Sequence, residues 1–453
     1  MLASLGERIS AAFRATAPDP FVIAVLLTGV TFAAALAFTN SSAGDLVSAW
    51  SSPTDGVWKF LGFAMQMCLI LVTGHALAAS RPVAGVLSRL AALPRSGKQG
   101  AALVAFVAAT LGTLNWGLGL IAGALLARDV GRSLARRQIP HHYPVLVAAG
   151  YVGLMTWHGG FSGTAPLKVS TDAQIADVLP AGVSLDAIPI DQTILSSMNI
   201  VITGGLIAIA TVLFPLLMPK TGTPATLPDE GIASESEPGK PLIPRLLEDT
   251  PIVNWLLVIL IGAWAVGHYF PGNGEPSGLR SLTPNTVNLT MLMLGLILHG
   301  SPRSYIAAVE DGARGCAGII IQFPLYAGIM GMMHTSGLTA QIAETVSSNA
   351  TESTLPVFTC LSAGLINLFV PSGGGQWGVQ GPIVVESALA AGVPLPKAVM
   401  ALAYGDQLTN MLQPFWALPL LAITKAKARD IVGYTAVVML AGFAWVLLGL
   451  LVF

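Results

Sequence analysis

The sequence predicts an all-α polytopic membrane protein made of two inverted-topology repeats, each with a re-entrant helical hairpin and an interrupted transmembrane helix. Three observations predict it. The 453 residues are 53% hydrophobic and only 10% charged, against about a quarter charged in a soluble domain, so a large soluble domain has no room. Two apolar runs are broken near their middles by asparagine and glycine, where a spanning helix would be continuous. The lysines and arginines fall in loops whose order is consistent only if those two runs turn back on themselves.

The sharper break is Ile366-Asn-Leu-Phe-Val-Pro-Ser-Gly-Gly-Gly-Gln-Trp-Gly378. Pro371 removes a backbone donor, and Gly373, Gly374 and Gly375 favour an open chain. At membrane depth such backbone persists only where it is packed in protein or lines a wet cavity. The second break, Gly112-Thr-Leu-Asn-Trp-Gly-Leu-Gly119, repeats its spacing: Asn115 follows Gly112 by three positions, as Asn367 follows Gly364. Paired breaks at matching places in two halves mark a binding site between repeats. The plainer alternative is two glycine-rich packing faces in ordinary helices.

Taken in order, residues 1–20 are polar and mildly basic, with Arg8 and Arg14, and are expected inside. No small-residue cleavage site follows, so the span at 21–38 is read as retained. The loop after it holds Asp45 and Asp55 and is expected outside; 58–79 returns to a basic loop with Arg81, Arg89, Arg95 and Lys98. Residues 100–127 are flanked on both sides by arginine, with Arg128, Arg132, Arg136 and Arg137 following. One crossing would strand a basic cluster outside, whereas a hairpin keeps both inside, and the run is long for the ~20 residues of a single span. The span at 143–167 ends in Trp157-His-Gly-Gly-Phe-Ser-Gly163, expected to be unwound. An acidic loop with Asp172, Asp177, Asp186 and Asp191 precedes 194–218.

Residues 219–283 form a polar linker and a connector helix, dividing a first repeat (1–218) from a second (284–453). The second repeat has spans at 285–298 and 316–333, a hairpin at 356–389, an interrupted span at 398–424 and a last span at 431–453. Charge places the first hairpin's opening inside and the second's outside, with the C-terminus outside. Tyr151, Thr156, Pro166 and Leu167 align without gaps on Tyr404, Thr409, Pro419 and Leu420.

The chemistry available is that of ion and small-anion binding. Half-helix N-termini offer free amides and a positive dipole end to a carboxylate; the candidates are Ser372, Gly373, Gly374, Ser162 and Gly163, with His158 and Gln413 beside them. Asn115, Asn367, Thr156 and Thr409 supply neutral oxygens for a cation, and Asp406, an ionisable group within a span, is a candidate cation or proton site. His75 and His334 read as interfacial, and Glu386 as solvated. Cys68, Cys316 and Cys360 lie apart in apolar runs and read as packing residues. The chain contains no P-loop pattern, nucleophile with its base, or metal-ligand spacing, so an enzyme is not expected, nor a cofactor beyond a sodium ion. A net charge of −1 gives no reason to expect a nucleic-acid partner.

Seven segments in order carry a resemblance: Ala17-Pro-Asp-Pro-Phe21, Gly62-Phe-Ala-Met-Gln-Met67, Val72-Thr-Gly-His-Ala76, Asn115-Trp-Gly-Leu-Gly119, Gly159-Gly-Phe-Ser-Gly163, Val370-Pro-Ser-Gly-Gly-Gly375 and Gln413-Pro-Phe-Trp-Ala-Leu-Pro419. Together they resemble the bacterial short-chain fatty acid transporter family, within the wider ion transporter superfamily. The resemblance implies a carrier in the bacterial inner membrane for small monocarboxylates such as butyrate or acetoacetate, and, by analogy, a homodimer. His158 departs from the glycine expected there. The expectation is a secondary active transporter that moves a short-chain carboxylate with H⁺ or Na⁺; the alternatives are a cation/proton antiporter of the same architecture and a passive anion channel.

Overall fold

The structure, a computed structural model, describes residues 19–170, 186–219, 241–272, 284–347 and 350–453, with residues 8, 11 and 175 besides. Arg14, Asp172, Asp177 and most of the polar linker lie outside the described residues. The described chain is helical, without strands, and six of its helices are long and apolar enough to cross a membrane.

Helix α1 (Pro20–Phe38) begins where Asp19 accepts from the Phe21 amide at 2.9 Å, with Pro20 in the first turn. A short helix α2 (Ala43–Ser51) is closed by a capping box between Ser42 and Asp45, whose hydrogen bonds hold the Asp45 carboxyl below its usual pKa. Helix α3 (Leu61–Ala79) bends by 82° at Ser80 into α4 (Arg81–Ala92). The region read as a basic loop is therefore an amphipathic helix in its first part. Pro82 suits its first turn, and Val86 and Leu90 lie on one exposed face four residues apart.

The first broken run is two helices, α5 (Gly97–Leu114) and α6 (Trp116–Arg136), meeting at Asn115 in extended conformation (φ −157°, ψ 131°). The arms run antiparallel: a Cβ built on Gly119 would lie 2.6 Å from the Gly112 Cα, and one on Gly123 would lie 2.9 Å from the Ala108 Cβ. Pairs whose numbers shift oppositely by four mark a tight hairpin held by small residues. The hairpin is longer than the apolar run, because both arms continue into polar ends.

Helix α7 (Tyr143–Tyr151) tightens into a 3₁₀ turn (Val152–Met155), and the chain is irregular until α8 (Thr164–Lys168). This is the interrupted span expected from its glycines. Helix α9 (Ser197–Leu217) follows, then a short α10 (Leu242–Glu248) and the connector α11 (Ile252–Tyr269). The same order then recurs: α12 (Pro284–His299), α13 (Pro302–Ala313), α14 (Ala317–Thr335) and α15 (Leu338–Ser347) lead to a second hairpin. Its arms are α16 (Leu355–Asn367) and α17 (Gly373–Ala391). The interrupted span is α18 (Leu395–Thr409), a 3₁₀ turn (Asn410–Leu412) and α19 (Pro414–Thr424), and α20 (Ala428–Val452) ends the chain.

The two series match element for element, α1 to α9 against α12 to α20. Because α1, α3, the first broken span, α9 and α11 are an odd number of crossings and a hairpin adds none, the second series starts from the opposite face. That is the inverted repeat. Each hairpin packs on the broken span of its own half. In the second half the approach of α16 to α18 is so close that a Cβ on Gly405 would collide with the Cys360 carbonyl. Cys68, Cys316 and Cys360 are all buried free thiols.

Candidate functional site

The two interrupted spans cross where each loses its helix. Tyr151 donates its hydroxyl to the carbonyls of Asn410 (2.8 Å) and Gln413 (2.9 Å) at the second break. Reciprocally, Tyr404 donates to Asn199 Oδ1 (2.9 Å), and Asn199 Nδ2 donates to the Gly159 carbonyl (2.8 Å) at the first break. Carbonyls released by unwinding are costly when left bare, and these aligned tyrosines are placed to satisfy them. From the other side, the amides of His158 and Gly159 donate to Gln407 Oε1 at 3.0 and 3.1 Å.

His158 is fully buried and lies 3.4 Å, through Nδ1, from Oδ1 of the equally buried Asp406. The Ala165 amide donates to His158 Nε2 at 2.9 Å. Nε2 is thus an acceptor, so the neutral ring carries its proton on Nδ1, facing the carboxylate. Asp406 Oδ2 has no hydrogen-bond partner among the described residues. Trp157 stacks on the imidazole with ring centres 4.3 Å apart.

The tip of the second hairpin closes over this pair. Ser372 caps α17, accepting from the Gly375 amide at 3.2 Å. The Gln376 amide bonds the Ser372 carbonyl at 2.8 Å, whereas the amides of Gly373 and Gly374 make no hydrogen bond among the described residues. A Cβ on Gly373 would lie 2.8 Å from Trp157 Cη2 and 3.2 Å from both His158 Cε1 and Thr164 Oγ1. Glycine is required there by close approach. The open N-terminus of a 19-residue helix, with its partial positive charge, therefore abuts the His158 ring.

Next to it lies a cluster of neutral oxygens. Asn367 Nδ2 is within 2.7 Å of the Asp406 carbonyl and 2.9 Å of both Thr409 Oγ1 and Asn410 Oδ1. An amide nitrogen has two hydrogens, so three acceptors converge on it. Which end of the amide points there is an assignment from the network. Asn367 Oδ1 and Gln413 Oε1, both buried, have no hydrogen-bond partner among the described residues, while Gln413 Nε2 donates to the Asn367 carbonyl.

Of the residues expected from the sequence, the structure brings Gly373, Gly374, Ser372 and His158 together with Asp406, and Asn367 with Thr409 and Gln413. The first hairpin differs. Asn115 Oδ1 caps α6 through the Gly117 (3.0 Å) and Leu118 (3.1 Å) amides, and Ser162 Oγ accepts from the Trp116 amide at 3.0 Å. Gly163 donates its amide to the Gly160 carbonyl, and Thr156 donates to the Ala109 carbonyl at 2.7 Å. That helix start is satisfied from within, and no contact between Asn115 and Thr156 is recorded among the described residues. Sequence reasoning missed Gln407, Asn410, Asn199 and Thr164. For Gln407 and Asn410 the signal was present, as uncharged polar side chains inside an apolar span. His75 pairs with Asp311 at 2.9 Å, while His334 and Glu386 are exposed. No cluster of three or more His, Cys, Asp or Glu suited to a metal occurs among the described residues.

A family model described as "Short chain fatty acid transporter" matches residues 1–453. A protein of Escherichia coli (strain K12) is 41% identical over 444 residues, 96% of each chain. One from Haemophilus influenzae (strain ATCC 51907 / DSM 11121 / KW20 / Rd) is 40% identical over 428 residues, 92% of each. Both are named for short-chain fatty acid transport. Among solved structures, the Alcanivorax borkumensis YdaH transporter aligns with 96% of this chain and 97% of its own, at a TM-score of 0.45 and 16% identity. Neisseria gonorrhoeae MtrF aligns with 96% of this chain and 94% of its own, at a TM-score of 0.34 and 15% identity.

Proposed function

We propose that this chain, which belongs to the short-chain fatty acid transporter family, is a secondary active carrier that moves a short-chain monocarboxylate across the membrane together with a cation. The observation that carries this reading is the pair of unpartnered amides at Gly373 and Gly374, opening α17 against Trp157, His158 and Thr164. A carboxylate set on those amides receives two donors and the helix dipole without a fixed positive charge in lipid. Trp157 gives a short alkyl chain an apolar face, and Thr164 Oγ1 gives a keto oxygen a donor, which suits butyrate and acetoacetate.

The same geometry gives a reason for coupling. One imidazole separates the α17 amides from the Asp406 carboxylate. Two carboxylates across one ring repel each other in a low-dielectric setting, so the substrate binds well only after Asp406 is neutralised or a cation sits beside it. By linkage, each ligand then raises the other's affinity by the same factor. For sodium, the Asp406 carbonyl, Thr409 Oγ1, Asn410 Oδ1 and a turned Asn367 amide offer converging neutral oxygens. A second reading, a proton on Asp406, is supported by its buried Oδ2, which has no hydrogen-bond partner among the described residues.

The test is uptake of labelled butyrate into proteoliposomes under separately imposed Na⁺ and pH gradients. Accumulation that follows one gradient and shows counterflow supports the carrier. Fast passive flux without counterflow makes the protein a channel, and cation exchange indifferent to carboxylates makes it an antiporter; either outcome removes the proposal.

A further inference from the structure

Helix α14 belongs to neither hairpin and to neither broken span, yet one stripe of it faces them. Gln322, Tyr326 and Met330 recur every four residues and so share a face, over a rise of about 12 Å. The helix enters from the face of Arg314, Lys427 and Arg429, which the positive-inside rule assigns to the cytoplasm. Met330 is therefore the deep end of the stripe. A Cβ on Gly375 would lie 2.7 Å from its Sδ, so it abuts the first turn of α17. Tyr326, one turn nearer the inner face, sets its ring edge-on to Phe415 with centres 4.8 Å apart. Phe323 stacks on the same Phe415 ring at 3.9 Å, and Phe415 stands in the first turn of α19, directly after the second break.

At the inner end of the stripe lies a cavity of about 380 Å³, bounded by the start of α1, by α14 and α19, and by the turn into α20. Gln322, Leu418 and Leu421 form its wall, and the exposed Asp19, Lys427 and Arg429 its rim. Gln322 is 5% exposed and Tyr326 2%. Gln322 Oε1 and the Tyr326 hydroxyl have no hydrogen-bond partner among the described residues. Leaving buried polar groups unpaired is unfavourable, and helices in membranes ordinarily spend such groups on one another. Here two of them lie a turn apart on one face, between the cavity and the open amides of α17.

We propose that Gln322 and Tyr326 form a second, inner subsite for the carboxylate substrate, an inference that rests on the carrier function proposed above. The Tyr326 O–H and the Gln322 amide are donors without fixed charge, the same chemistry as the Gly373 and Gly374 amides. The Gln322 amide can turn its N–H groups to a ligand, because oxygen and nitrogen are assigned from the network and no donor holds this oxygen among the described residues. A carboxylate accepts at both oxygens, and side chains four apart on a helix are neighbours, so each residue serves one oxygen. Phe323 and Phe415 give the alkyl chain apolar faces beside those donors. The subsite lies on the cytoplasmic side of the hairpin tip, so it acts on the substrate as it arrives from or leaves to that face.

The test is the KM for labelled butyrate from each face of the membrane, measured on the full-length chain in inside-out and right-side-out vesicles with no imposed gradient. In Gln322→Leu and in Tyr326→Phe the ratio of inner to outer KM should rise at least about fivefold, the loss of one hydrogen bond to the anion. Damage to the hairpin site moves both KM values together and leaves the ratio as it was. Tyr326→Phe removes an oxygen that has no partner among the described residues, so its melting midpoint should not fall. That variant therefore stays folded and readable. An unchanged ratio in either variant means that water alone serves the group removed, and it overturns the subsite. Wild-type vesicles without saturable butyrate flux from either face remove the carrier function itself, and the subsite with it.

Discussion

His158 Nδ1 lies 3.4 Å from Asp406 Oδ1, and these two residues come from different repeats. Neither is exposed, and neither has another polar partner at that atom pair besides those already described. They form a contact between the two halves beside the tip of the second hairpin. Replacing Asp406 by Asn keeps the shape and removes the charge that must be neutralised. Gradient-driven accumulation of butyrate in Asp406→Asn should fall at least about tenfold, with butyrate:butyrate exchange retained, because only coupling depends on the carboxylate. Equal losses of accumulation and exchange, in a protein of wild-type stability, would contradict this.

Gly373 and Gly374 offer a paired test of the hairpin tip. In Gly373→Ala the new methyl meets the Trp157 ring at 2.8 Å, whereas in Gly374→Ala the nearest atom, Thr164 Cγ2, is 3.7 Å away. Uptake should be lost or reduced by more than about tenfold in Gly373→Ala, since a misplacement of about 1 Å is enough to cost that much. Gly374→Ala should remain near wild type. The measurement is the ratio of initial uptake rates at equal protein in the vesicles.

Sodium dependence tests the oxygen cluster. Thr409→Val removes an oxygen 2.9 Å from Asn367 Nδ2 while keeping the side-chain volume. If sodium is the coupling ion, the Na⁺ concentration for half-maximal uptake should rise by roughly tenfold, about 1.4 kcal/mol. A carrier driven by a pH gradient alone should show no such shift.

The reciprocal tyrosines are a matter of stability. Tyr151→Phe leaves the Asn410 and Gln413 carbonyls without their hydroxyl, and Tyr404→Phe removes a donor from Asn199. Each deletion of a buried partner should cost about 1–3 kcal/mol, read as a lower melting temperature in detergent. Tyr151→Phe should be the more damaging, because its one hydrogen is shared directly between two backbone carbonyls, whereas the Tyr404 hydroxyl reaches the first break only through Asn199.

Much of this was legible because membrane depth restricts the backbone so severely. Asn115 and residues 371–375 could not belong to straight helices, and basic residues on both sides of 100–127 required a turn. The helix of residues 81–92 was hidden by its arginines, which look like a loop when only charge is counted. Its short amphipathic period shows once Val86 and Leu90 are placed on one face. The two hairpins looked equivalent in sequence, yet among the described residues only the second keeps open amides, and nothing in the spacing foretold it. Ser162, forty-six positions from Trp116, supplies the missing cap in the first.

The sequence by itself determined the class of fold, the two breaks and the inversion, because each follows from local backbone chemistry and from which loops can cross a bilayer. The tertiary structure decided which break keeps open amides among the described residues. It did so through contacts between residues far apart in the chain: His158 with Asp406, Gln407 with the amides of the first break, and Gly373 against Trp157. Satisfaction of a hydrogen bond is a property of two partners, and a chain read in order shows only one of them at a time.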